Sequence, residues 1–213
     1  MKKKILSIAL VVAVIAIMVS GTLAYFTAED EVTNTFTIGS VKIEVVEDFE
    51  EPEAMIPVVT ADDSDPNYIN KDARVKNTGD NAAYVQMYVA IPKALDDVGA
   101  FVVVDANTGD WTDRAAVGTA EIDGVTCNVY MYRYKNLLDV NAETSDVITA
   151  AYLASQLDYD HDTDRFVMNG TAITDYIPGE SINIYVAAQA IQAAGFDGYD
   201  SALNNFTTHP WAN

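Results

Sequence analysis

The chain has 213 residues, half of them apolar and 10% aromatic, so it can bury a real core and does not read as a disordered polymer. Its formal net charge is −20, and loss of the three lysines at positions 2–4 would make it more negative still, which excludes nucleic acid as a partner. A single cysteine excludes an internal disulfide.

In chain order, Lys2, Lys3 and Lys4 form a charged start, and residues 5–19 form an apolar run. SGTLA follows, with Thr22 and Ala24 at the −3 and −1 positions of a cleavage site. Residues 1–24 therefore read as a signal helix, cleaved between Ala24 and Tyr25. Uncharged residues continue to Ala28, so an uncleaved membrane anchor is the alternative reading.

The mature chain then alternates. Phe36 and Ile38 share one face, and Val41, Ile43 and Val45 resume after Gly39, a phase change that suggests a bulge. Residues 47–57, acidic with two prolines, read as a loop or edge segment. Residues 72–91 read as two strands joined through Asn77, Thr78, Gly79 and Asp80, a turn whose Asn and Gly tolerate left-handed backbone. Residues 100–106 form a short strand, and residues 107–111 turn the chain. Residues 124–134 alternate most clearly of all. Residues 146–158 read as a strand, with a helix as the alternative. Asn169-Gly170 marks a hairpin, and Ile182, Ile184, Val186 and Ala188 share a strand face. Residues 200–206 read as a short C-terminal helix capped by Asp200 or Ser201. Many short strands with spaced turns and no long helix give an all-β chain, an antiparallel β-sandwich in one domain over residues 25–213.

GTLAYFTAEDEVTNTFTIGSVKIEV resembles the N-terminus of the camelysin/TasA family of exported bacterial proteins. KDARVKNTGDNAAYVQMYVAIP, YIPGESINIYVAAQAIQA and AAGFDGYDSALNNF are similar to later stretches of that family, in the same order. The resemblance covers roughly two fifths of the chain and leaves the middle without a match. It implies a jelly-roll-like sandwich and processing by a SipW-type signal peptidase during export. It also implies self-assembly into cell-surface or extracellular biofilm-matrix fibres, with an anchor or accessory matrix protein as a further partner. Within that frame residues 25–38 form a candidate donor strand, whose apolar set is Phe26, Val32, Phe36 and Ile38.

Camelysin-type proteins are also classed as metalloendopeptidases, which makes a secreted metalloprotease the alternative function, and a monomeric surface adhesion module a third. The residues offer little chemistry for an enzyme. There is no HExxH, and the two histidines, His161 and His209, lie far apart in sequence. Cys127 alternates with Val125, Val129 and Met131 and reads as a buried apolar residue. The expectation is no enzyme and no cofactor. A weak Ca²⁺ site at Asp158, Asp160, Asp162 and Asp164 is the exception considered. That run starts like an EF-hand loop, but Thr163 stands at its sixth position and Asn169 at its twelfth, where the loop needs Gly and Glu. ADDSDPN, residues 61–67, is a second acidic loop. The tyrosines carry a sharper expectation. Tyr84 and Tyr88, then Tyr130, Tyr132 and Tyr134, then Tyr185, each alternate with apolar neighbours and form a candidate subunit interface.

If the leader is processed as read, the intact mass of secreted protein matches a chain starting at Tyr25. A membrane-bound product that retains residues 1–24 would establish the anchor instead.

Overall fold

A strand that buries every second side chain needs another apolar surface to cover it, and this chain supplies one from its own second sheet. The computed structural model describes residues 41–49, 52, 55–173 and 182–212. The cleavage pair Ala24 and Tyr25 and the donor-strand residues Phe26, Val32, Phe36 and Ile38 lie outside the described residues. The strands are β1 (Ile43–Phe49), β2 (Ile69–Asn77), β3 (Ala83–Pro92), β4 (Phe101–Asp105), β5 (Ala115–Ile122), β6 (Val125–Arg133), β7 (Ile148–Leu153), β8 (Leu157–Asp160), β9 (Arg165–Met168), β10 (Thr171–Ala172) and β11 (Tyr185–Gln192). Two short helices join them, α1 (Lys93–Asp96) and α2 (Tyr199–Leu203). No described helix is long and apolar enough to cross a membrane.

One four-stranded sheet has the order β1-β2-β7-β4 and the other β11-β3-β6-β5, with a small β10-β9-β8 sheet beside them. Neighbouring strands run antiparallel throughout. The main core draws on both large sheets. Val85, Met87, Val89 and Ile91 of β3 share it with Ala73 and Val75 of β2, and with Ile148, Ala151 and Leu153 of β7. Each such large side chain contributes roughly 1.5–3 kcal/mol on burial. Trp111 and Tyr134 close one end, their rings 5.0 Å apart, while the indole N–H donates to the Ser145 carbonyl at 3.0 Å.

Asn77 governs the step between the sheets. The turn at residues 77–80 was expected to join two strands as neighbours, but β2 and β3 belong to different sheets, so the chain crosses over there instead. The crossing does not use left-handed backbone at Gly79. It uses the Asn77 side chain, which is fully buried. Its Nδ2 donates to the carbonyls of Asn81 (2.9 Å) and Leu138 (3.1 Å), and its Oδ1 accepts the Gly79 N–H (3.0 Å).

Other expectations shift for local reasons. Residues 47–49 are not loop: β1 runs on to Phe49, opposite Lys71, because Lys71 pairs with Glu47 at 2.8 Å and lies over the Phe49 ring. The expected strand over 146–158 is two strands, β7 and β8, broken at Ala154 where its N–H donates to the Ala100 carbonyl. β5 was not foreseen, although Asp123-Gly124, both with positive φ (52° and 81°), is a two-residue hairpin signal that could have revealed it. The Asn169-Gly170 hairpin, the short strand β4 and the alternating strands β6 and β11 lie where they were expected. The C-terminal helix starts one residue early, with Gly198 rather than Asp200 or Ser201 at its N-cap. Ser201 is already inside the first turn and donates back to the Gly198 carbonyl at 2.9 Å.

Asn77→Ala should lower unfolding stability by about 2 kcal/mol, the cost of leaving buried backbone groups without partners. Asn77→Asp, which keeps only the acceptor, should also destabilise. Urea unfolding of the three proteins checks both.

Candidate functional site

β6 decides which side chains can meet a partner. Its alternation is as expected, but its two faces are the reverse of what composition suggests. Tyr132 and Tyr134 point into the main core, opposite Met87 and beside Val85, and Tyr130 packs against the same core. Cys127 and Val129 point out the other way, into a second apolar cluster with Tyr88, Ala90, Ala120 and Ile122. Tyr84 and Tyr88 share this outer side of β3, since Tyr88 pairs with Met131 and Tyr84 with Ile191. The six tyrosines therefore do not form one surface. Tyr88 (3% exposed) and Tyr132 (2%) are buried, as is Tyr134, and only Tyr84, Tyr130 and Tyr185 are half-exposed.

Buried tyrosines need partners for their hydroxyls, and this fold provides carboxylates. Tyr132 Oη donates to Asp105 Oδ1 at 2.6 Å, and burial followed by that bond pushes its pKa well up. Tyr130 donates to Asp96 of α1, and burial, then Asp96, pushes it up to about 12. Tyr88 Oη donates to Gln189 Oε1 at 2.9 Å, where Gln86 Nε2 also donates. Position, not titration, is what these groups supply at neutral pH.

The C-terminal segment covers the outer cluster. Trp211 packs against it, and His209 lies between Tyr88 and Trp211, with ring centroids 6.4 and 6.5 Å away. Arg133 Nη1 donates to Asn204 Oδ1 at 2.9 Å, and Gln189 Nε2 donates to the Thr208 carbonyl at 3.3 Å. Cys127 beneath is fully buried, and burial lifts its thiol to about 11. That matches the apolar reading of this residue.

The acidic run at Asp158, Asp160, Asp162 and Asp164 spans β8 and the turn into β9. Two of its carboxylates are engaged within the turn. Asp160 accepts the Asp162 N–H (2.9 Å) and the Thr163 hydroxyl (2.7 Å), and Asp164 accepts the Tyr159 hydroxyl. His161 packs edge-on to Tyr159, 4.6 Å between centroids. Among the described residues no three His, Cys, Asp or Glu side chains come together as a metal-holding group. The other acidic loop is a structural clamp: buried Asp65 accepts the N–H groups of Val59, Thr60 and Asn67, and the Asn67 bond leads in holding its carboxyl below the usual 3.8.

Two places remain open. The first is a polar cleft of about 170 Å³ at the β4–β5 end, lined by Asp105, Asp113, Arg114, Tyr132 and Lys135 among others. The second is the side of the core where β1 and β11 run close together. Here the inward side chains Ile43 and Val45 of β1, with Ile182, Ile184, Val186, Ala188 and Ala190 on or just before β11, stay only half-buried. Their neighbours on β3 are fully buried. Both strands are sheet edges, and β11 has nothing beyond it among the described residues. Compared with known proteins, the chain matches no family model and no curated protein.

Millimolar Ca²⁺ should move the melting temperature by no more than a few degrees, because stabilisation follows RT ln(1 + [L]/Kd) and Asp160 and Asp164 are committed inside the turn. A large upward shift, abolished by Asp160→Asn, would mark a structural Ca²⁺ site.

Proposed function

We propose that this chain is a secreted structural protein that self-assembles into cell-surface or extracellular-matrix fibres, with the mature N-terminal strand of one subunit completing a sheet of the next. The half-buried apolar side chains along β1 and β11 carry this reading: among the described residues they are the less covered part of the core, next to two strands with no further neighbour at their outer edges. An added strand would satisfy edge N–H and C=O groups and cover that apolar row together. The sequence over residues 25–38 has the matching character, with Phe26, Val32, Phe36 and Ile38 as its apolar set. Burying four such side chains yields roughly 6–12 kcal/mol. Association costs about 4–15 kcal/mol. One strand is therefore marginal as a sole contact, and a fibre needs further contact between subunits. The resemblance to camelysin/TasA proteins supports the same reading, and the jelly-roll-like detail of the sandwich is part of this proposal.

The polar cleft beside Asp105 and Arg114 favours a second reading, a monomeric module that binds a small polar group. Electron microscopy of protein lacking residues 25–34 separates the two. Strand donation predicts a folded protein that no longer forms fibres. Normal fibres from the truncated chain would exclude donation. Outright unfolding would assign the strand to its own subunit, and a full-length protein that forms no fibres would favour the binding module.

A further inference from the structure

The opposite end of the second sheet carries another unsatisfied edge. Of the four edge strands of the two large sheets, β1 bears Glu44, Glu47 and Asp48, and β4 is five residues long and ends in Asp105. β11 belongs to the open side already described. β5 is left: eight residues, uncharged from Ala115 to Ala120, and exposed from Ala115 to Thr119. It has no lysine or proline to discourage pairing, and its outer edge has no strand beside it among the described residues.

The backbone count along β5 is specific. The Asp123-Gly124 turn closes a two-residue hairpin, so the Ile122–Val125 pair exchanges hydrogen bonds within the hairpin. Counting back, Ala120 and Gly118 turn their backbone groups toward β6, whereas Glu121 and Thr119 turn theirs outward. A bulge then intervenes: Ala116 pairs with Tyr130 and Gly118 with Val129, leaving Val117 extra. The extra residue moves the count by one, so Ala116 and Arg114 also turn outward.

We propose that β5 pairs antiparallel with β5 of a second copy of this chain, about a two-fold axis passing between Val117 and Gly118. In that register Ala116 lies opposite Thr119 of the second copy, and both present outward N–H and C=O groups. Arg114 lies opposite Glu121 of the second copy, again with both outward-facing. The bulge makes this match possible; without it, residues related by this axis would have opposite parity. The side chains agree as well. Arg114 and Glu121 lie on the same face of the sheet, Arg114 over the Tyr130 ring at 5.0 Å with its Nε 3.6 Å from Asp105 of its own chain, which leaves the terminal guanidinium nitrogens for a second carboxylate, and Glu121 accepting the Thr126 hydroxyl at 3.0 Å. Two-fold symmetry repeats the opposite-charge pair, so each dimer contains two cross-strand ion pairs, in a chain whose overall charge otherwise opposes self-association. A single strand edge falls below the ~1,200 Å² typical of stable interfaces, so the dimer is weak alone and acts as a lateral contact within an assembly. This contact is separate from the N-terminal strand and does not depend on it.

Charge exchange between β5 edges tests the pairing. Arg114→Glu gives a copy with two acids at the paired positions, and Glu121→Arg gives a copy with two bases. Hydrogen exchange at the Ala116 and Thr119 amides, followed from about 10 µM to 1 mM protein, reads the contact directly, whether or not fibres form. The native chain should become protected there as concentration rises. Each variant alone should need at least tenfold more protein for the same protection, and an equimolar mixture of the two should recover it. If Arg114→Glu does not fold, Val117→Lys replaces it; two lysines at the two-fold axis should abolish the protection while leaving circular dichroism unchanged. Concentration-independent exchange in the native chain, or a mixture no better protected than its components, would overturn the proposal. Loss of fibres on deleting residues 25–34 with β5 protection intact would show the two contacts to be independent.

Discussion

The buried Asn77 side chain is the interaction on which the arrangement of strands depends. Between the end of β2 and the start of β3 the chain leaves one sheet and enters the other within five residues. A crossing that short exposes backbone groups at the edge of the core, where they cost free energy unless bonded. One amide satisfies three of them: the carbonyls of Asn81 and Leu138 and the N–H of Gly79. The Asn77 backbone does the rest, donating to the Ala142 carbonyl and accepting the Asn141 N–H. The end of β2, the crossing, and the turn after β6 are thus held by one residue. Once β3 is placed in the second sheet, its apolar face must meet β2 and β7, and the shared core follows.

β3 then sets what β6 can show to the outside. Because Met87 and Val89 lie opposite Tyr132 and Tyr130, the tyrosines of β6 are drawn to the core side. Cys127 and Val129, the smaller apolar residues, are left facing outward. Burying Tyr132 requires Asp105, and burying Tyr88 requires Gln189, so carboxylates and amides appear at the rim of the core as hydroxyl acceptors. The outward apolar row is in turn covered by the C-terminal segment, fastened through Arg133 to Asn204. Half of the tyrosines that look like an interface by composition are interior, and the exposed edges are where the proposed assembly has room to act.

Charge is distributed to the same effect. Arg74 meets Asp48, Glu143 and Asp146, Lys76 meets Glu143, Lys71 meets Glu47, and Lys93 meets Asp97. Arg114 meets Asp105 and Arg133 meets Asp200. With these six basic side chains paired, the remaining described surface is mostly acidic. Partly exposed pairs of this kind add little stability each. Their larger effect is on association, since an acidic surface disfavours contacts wherever acids face acids and leaves β11 and the uncharged stretch of β5 from Ala115 to Ala120 as places of less repulsion.

The amino-acid sequence by itself determined the elements. Period-two alternation marked β3, β6 and β11, a short apolar run marked β4, and Asn169-Gly170 marked its hairpin, because these signals depend on neighbours a few residues away. It also showed that Cys127 would be buried. It did not decide which sheet a strand joins, and so it read the Asn77–Asp80 link as a turn between neighbours. It gave the correct parity for the tyrosines of β6 but not the side on which the core lies, because that is set by β2 and β7, elements outside the local pattern. Tyr132 and Tyr134 lie inside for that reason, while Tyr84, Tyr130 and Tyr185 stay half-exposed. β5 was missed because its small, uncharged residues carry little alternation, and only pairing with β6 makes them a strand. The open row along β1 and β11 likewise exists only once two edges distant in sequence are brought together. Local patterns are written along the chain; which faces become interior depends on long-range pairing, and that was decided by the tertiary structure.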